Sequence, residues 1–161
     1  MKTAIFTETQ RFEFWNVLIL VLVAALMFYC VKKYTAKSST PANSTIGKAV
    51  LYACAALPVP VMILFLVMSL NTIVDNKGVS IKFSPFHSEW RTYPWDSIKS
   101  CTVKTYDPIG DYGGWGIRNG AYNVSGDKGL LLKFTNGSNL LIGTQKPEEL
   151  KTIFQQLNKT Q

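Results

Sequence analysis

The chain is poor in the residues from which catalytic and metal sites are built. It has one histidine, three cysteines, and ten acidic side chains against seventeen basic ones. The single histidine, His87, sits in the polar turn-like run Pro85-Phe86-His87-Ser88 and is expected to be exposed, so general acid–base chemistry has no evident carrier. Cys30 and Cys54 fall inside apolar stretches and Cys101 stands apart from both; no spacing matches a zinc ligand set or a disulfide framework. Walker lysine, HExxH and GxSxG patterns are missing. Dense Lys/Arg runs are missing too. The net charge of +7 divides into +4 over residues 1–74 and +3 over residues 75–161, too dilute for a stripe that tracks nucleic-acid phosphates. The expectation is a protein that is not an enzyme, holds no cofactor or metal and binds no nucleic acid.

What the chain has in excess is uninterrupted apolar sequence. Phe14 to Val31 is an 18-residue run with Asn16 as its only polar member. At about 1.5 Å rise per residue such a run comes close to covering a hydrocarbon core of roughly 30 Å. Phe12 and Trp15 at one end, and Tyr29 and Tyr34 at the other, have the character of interfacial aromatic belts. The run ends in bulky residues and meets Lys32-Lys33, which favours a retained span over a cleaved signal peptide. The second run, Ala49 to Leu70, carries no charge and is again long enough to cross. Pro58 and Pro60 are expected to kink it. The expected organisation is therefore an N-terminal tail and two-helix hairpin over residues 1–74, with spans at 14–31 and 49–70, then a soluble domain over 75–161. Lysines 32, 33, 37 and 48 of the connecting loop are balanced by Lys2, Arg11, Lys77, Lys82 and Arg91 on the flanks, so charge alone sets no orientation.

From Asn71 onward short strands alternate with turn residues. Asn71–Asp75 and Val79–Phe83 flank Asn76-Lys77-Gly78, a hairpin signal. Further strands are expected at 88–93, 98–106, 121–124, 129–135 and 139–143, with Asn136-Gly137 marking a tight turn. At the end of the chain, Thr144 is a candidate cap, Pro147 suits a first helical turn, and Glu148 and Glu149 complement the helix dipole. Leu150, Ile153, Phe154 and Leu157 recur at helical spacing and give an apolar face to lay against a sheet. At most a residue or two separates the second span from the first of these strands, so the domain has no free linker.

The runs PWDSIKSCTVKTY (94–106), YGGWGIR (112–118), YNVSGDKG (122–129) and LLIGTQKPEELKTIF (140–154) resemble bacterial pleckstrin-homology-like domains. More narrowly, the chain resembles small bacterial membrane proteins in which two spans precede such a domain. The resemblance implies a transmembrane α hairpin plus a mainly β module, a PH-like, partly open seven-stranded barrel capped by the C-terminal helix. It further implies a multi-pass protein of the inner (cytoplasmic) membrane with its N-terminus and C-terminal domain in the cytoplasm. It implies no specific activity, because function resides in sites and not in folds.

The most unusual segment is Tyr106 to Gly120, YDPIGDYGGWGIRNG, with five glycines, four of them around Trp115. Its glycine spacing is not a dinucleotide fingerprint and no βαβ unit surrounds it. Two readings stand. In one, the glycines merely turn the chain between strands and Trp115 folds back on the core. In the other, Tyr112, Gly113, Gly114, Trp115 and Arg118 form a binding loop, joined by Lys128 if the turn at 125–129 comes alongside. The sequence supports a membrane-tethered, non-enzymatic interaction or scaffold module with a lipid bilayer and a protein as partners. The alternatives are recognition of anionic phospholipid headgroups by the PH-like domain, and an accessory subunit of a membrane enzyme or transporter.

Overall fold

The computed structural model describes residues 4–37 and 45–157, which divide into two units. The first is a helical hairpin over Phe12–Val67. Its helices are α1 (Phe14–Lys37), α2 (Thr45–Ala56) and α3 (Pro58–Val67). The stretches Val17–Ala36 and Gly47–Val67 are each long and apolar enough to cross a bilayer, and almost none of either is buried within the structure. A core helix of a soluble protein would be covered; these are not, which fits a small membrane protein. Antiparallel packing is marked by Phe12 against Phe65 at one end, with ring centroids 4.3 Å apart, and Phe28 stacked on Tyr52 near the other at 6.5 Å. Ala55 is fully buried, a small side chain where helices approach closely. The expected proline kink is present as a break at Leu57. Pro58 has no N–H to offer Cys54 four residues back, and the Leu57 N–H donates to that carbonyl at 3.2 Å instead. Residues 38–44 of the connecting loop lie outside the described residues.

The second unit is β-rich and discontinuous, joining the N-terminal residues up to Arg11 with those from Met68 onward. Its first sheet is a four-stranded antiparallel meander: β1 (Phe6–Arg11), β2 (Ser69–Asp75), β3 (Gly78–Ser84) and β4 (Arg91–Pro94). A single 3-10 turn, Trp95–Ser97, carries the chain into the second sheet. That sheet contains β5 (Ile98–Thr105), β6 (Gly116–Arg118), β7 (Ala121–Asn123), β8 (Lys128–Phe134) and β9 (Asn139–Gly143), in the order β5-β8-β9-β7-β6. All its pairings are antiparallel except β7 with β9. The arrangement is open, and α4 (Pro147–Gln156) packs on it.

Turn chemistry fixes the registers. Asp75 Oδ1 accepts the Lys77 and Gly78 N–H groups at 2.8 and 3.1 Å, which pins the β2–β3 hairpin. Asn119 and Gly120 both have positive φ, 45° and 75°, the conformation a two-residue hairpin between β6 and β7 demands. The core then follows from alternation. Leu70, Val74, Val79, Ile81 and Phe83 of the first sheet are buried together with Leu130, Leu132 and Ile142 of the second. The apolar face of α4, Leu150, Ile153 and Phe154, is buried as the helical spacing predicts. Trp95 meets Phe154 edge-on at 6.1 Å, and its indole N–H donates to the Asp75 carbonyl at 3.0 Å.

Three expectations are corrected. The described residues hold nine strands where seven were expected, because β1 was read as tail and β6 as loop. The boundary at residue 74/75 gives way to a β unit interrupted by the helical hairpin, since every residue of β1 pairs with β2, from Phe6↔Val74 to Arg11↔Ser69. Thr144 does not cap α4 directly. Its hydroxyl donates to Glu8 and accepts the Lys146 N–H at 3.0 Å, while Lys146 itself occupies the cap position without a side-chain bond.

Candidate functional site

The segment 106–120 is a built loop with a fixed base and an exposed crest. Asp107 Oδ1 accepts the Ile109 N–H at 2.9 Å, and Asp111 Oδ2 accepts the Asp107 N–H at 3.1 Å. Main-chain bonds from Asp111, Gly113 and Gly114 back to Asp107, Ile109 and Pro108 coil the first half into consecutive turns. These two carboxylates therefore build the turn, as aspartate beside proline and glycine commonly does. Gly113 and Gly114 then take φ of 75° and 118°, which L side chains rarely adopt, and swing the chain toward β6. Beneath the crest, Tyr106, Ala121 and Leu141 form a small buried cluster against which Tyr112 and Leu131 pack. Tyr106 and Tyr112 meet edge-on at 5.6 Å. Burial pushes the Tyr106 hydroxyl above its ordinary range; the nearby Asn123 amide opposes this, and Asp127 and Tyr112 add to it.

The sequence-predicted residues thus separate. Tyr112 is an anchor, half-buried on the loop's own core. Trp115 is not folded into the interior: it is 41 % exposed, and its indole N–H donates to the Gly126 carbonyl at 3.3 Å. That bond brings the glycine-rich loop alongside the 125–129 turn. Ile109 and Ile117 are exposed as well, Ile109 to 66 %. Arg118 and Lys128 are not brought together as a pair. Arg118 lies on β6 and Lys128 on β8, with β7 and β9 between them, about 14 Å across the sheet at 4.7–4.9 Å per strand. Lys128 Nζ donates to Thr105 Oγ1 at 3.3 Å.

Sequence reasoning missed a second polar constellation, which ties β1 to the end of β9. Glu8, 4 % exposed, accepts the Thr144 hydroxyl at 2.7 Å and the Gln145 N–H at 2.6 Å. Gln10 donates through Nε2 to the Gly143 carbonyl. Gln145 Nε2 donates to the Arg11 carbonyl at 3.2 Å and to Ser125 Oγ at 3.0 Å. Gln10 Oε1 and Thr72 Oγ1 are buried without a hydrogen-bond partner. The only signal in the sequence is a period of two in FTETQR, whose inward positions are mostly polar.

His87 is half-buried, its ring 5.8 Å from Tyr122. Burial and then the Arg91 charge hold its pKa below the usual 6.5. Arg91 itself donates to the Tyr122 hydroxyl at 2.6 Å. Among the described residues no three His, Cys, Asp or Glu side chains gather as metal ligands.

Over residues 2–158 the chain matches the model of a family of unknown function, DUF6141, and it belongs to that family. No curated protein matches it.

Proposed function

We propose that the protein is a membrane-tethered, non-enzymatic interaction module that engages a protein partner through the crest of loop 106–120. The observation that carries this reading is a loop with a rigid base and apolar side chains turned outward. Tyr112 and Tyr106 hold it from below, while Ile109, Trp115 and Ile117 remain exposed. A loop that served only to reverse the chain would have no reason to present these side chains to water, and preordering lowers the entropic cost of association. Two mostly antiparallel sheets and a C-terminal helix support the finer assignment of a PH-like module, although β1 ahead of the hairpin and the parallel β7–β9 pair depart from a plain seven-stranded barrel. Headgroup recognition by a joint Arg118–Lys128 site is the weaker reading, because two strands intervene.

The test is affinity purification of the full chain from gently solubilised membranes, comparing wild type with Ile109→Ser/Trp115→Ser. A partner should be recovered with wild type and lost with the double variant, whose circular dichroism should be unchanged. Equal recovery by both would remove the loop from the interface. We further propose that the β unit is cytoplasmic. In intact cells an impermeant thiol reagent should label Thr40→Cys and not Asn136→Cys in a background with Cys30 and Cys54 replaced by alanine; the opposite pattern reverses the orientation.

A further inference from the structure

The two chain segments that lead to and from the helical hairpin leave the first sheet at the same end. Arg11, the last residue of β1, pairs with Ser69, the first of β2, and Ser69 pairs with Ser84, the last of β3. The segment that follows Ser84 therefore starts beside the two exits. It reads Pro85-Phe86-His87-Ser88-Glu89-Trp90, and its two large apolar side chains are exposed, Phe86 to 56 % and Trp90 to 45 %. Hydrogen bonds prolong the same rim on the other side, from Arg11 through Gln145 and Ser125 to Gly126 and the Trp115 indole.

Phe86 stays close to the point where the chain enters the first sheet. Ser69 follows the last residue of α3, Val67, by two positions, a reach of at most about 7 Å. One strand spacing of about 4.8 Å separates Ser69 from Ser84, and Phe86 is two residues further on. Within the β unit, Phe86 thus lies within about 12 Å of Ser69, where the chain enters the sheet. The Asn76-Lys77 turn closes the opposite end of the same seven-residue strands, about 20 Å away.

We propose that Phe86 and Trp90 seat in the interfacial layer of the bilayer and hold the β unit against the membrane surface. This rests on the membrane reading of the two helices and adds to it a second attachment point. The interfacial layer is roughly 5–8 Å deep on each side and favours amphipathic aromatic rings. Phe86 and Trp90 flank His87, Ser88 and Glu89, a mixture suited to a polar–apolar boundary and not to the hydrocarbon. Burial and then the Arg91 charge lower the His87 pKa, which disfavours charge on this segment. The hairpin ties down the ends of β1 and β2; the aromatic segment restrains the sheet from tilting about that tie.

The experiment uses the full chain in vesicles of neutral phospholipid, with Cys30 and Cys54 replaced by alanine and a nitroxide attached at Phe86→Cys, Trp90→Cys or Asn76→Cys. Collision rates are read with dissolved oxygen, which concentrates in lipid, and with a water-soluble nickel chelate, which does not. Labels at 86 and 90 should show an oxygen-to-chelate ratio several-fold above the label at 76. Equal ratios at all three positions would overturn the proposal while leaving the spans intact. Dipolar broadening at 86 or 90 that disappears on dilution with unlabelled protein would assign the patch to a second copy, and would also overturn it. If the protein fails to float with the vesicles, the membrane reading falls first and takes this inference with it.

Discussion

Replacing Glu8 with alanine tests how much the side-chain bonds between β1 and the residues after β9 stabilise the β unit. The carboxylate is buried and accepts two short bonds, from the Thr144 hydroxyl at 2.7 Å and the Gln145 N–H at 2.6 Å. Hydrogen bonds to a charged group contribute about 1.5–3 kcal/mol each, and an orphaned buried partner adds a desolvation cost of similar size. Some of this is recovered when water enters the space or Thr144 turns to its other partner, so about 3 kcal/mol is expected for Glu8→Ala. In a unit of about one hundred residues, 1 kcal/mol corresponds to about 4–8 °C, so the thermal midpoint should fall by more than about 10 °C. The full chain in detergent, followed by near-ultraviolet circular dichroism, reports the loss of packing around Trp95. Thr9→Ala is the control: its hydroxyl donates to Asn71 Oδ1 at 2.7 Å on the exposed side of the same strand pair. Losing that bond should cost less than about 1 kcal/mol. If Glu8→Ala melts with wild type, the side-chain bonds between β1 and the residues after β9 contribute nothing, and β1 is held by its pairing with β2 alone.

Gly78→Ala should destabilise the β unit by about 2 kcal/mol or more, because the new Cβ would lie 2.0 Å from the Tyr93 carbonyl oxygen at a φ of 154°; chemical denaturation of the full chain measures this. Tyr112→Ala removes an edge-to-face pair of about 0.5–1.5 kcal/mol and the loop's anchor; limited proteolysis should then cut within 107–116 faster, with the rest of the unit unchanged, and an unchanged cutting rate would show that the aspartate and glycine turns suffice without it. Stability should fall as pH rises above about 10. Burial first raises the pKa of both Tyr93 and Tyr106, so the unfolded chain ionises at a pH where the folded one still holds its protons, and folded stability declines between the unfolded and the raised folded values. Tyrosinate absorbance that titrates entirely at the ordinary pKa in the folded protein would contradict this.

Much of the architecture was legible because the forces behind it are local. An 18-residue apolar run marks a helix long and apolar enough to cross a bilayer, and Pro58 separates α2 from α3 through its own missing N–H, whatever surrounds it. Asn136-Gly137 favours a turn through backbone freedom, and Leu150, Ile153 and Phe154 announce a buried face through their spacing. The side-chain bonds that tie β1 to the residues after β9 join positions more than 130 apart, and no local pattern encodes them. Phe6, Glu8 and Gln10 alternate inward like any strand, but two of the three inward side chains are polar, so hydrophobic periodicity gave no sign. Burying them is tolerable only because Thr144, Gln145 and the Gly143 carbonyl are there to receive them. The same holds at the candidate site. Composition marked loop 106–120 as unusual, whereas only the packing of Leu141 and Ala121 against Tyr106 decided that Tyr112 turns in while Trp115 stays out. Likewise the strand order, which depends on β7 pairing with β9 across the whole second sheet, separated Arg118 from Lys128. Local sequence determined which segments become helix, strand or turn; the partners that make buried polar groups tolerable, and the order in which strands meet, were decided by the tertiary structure.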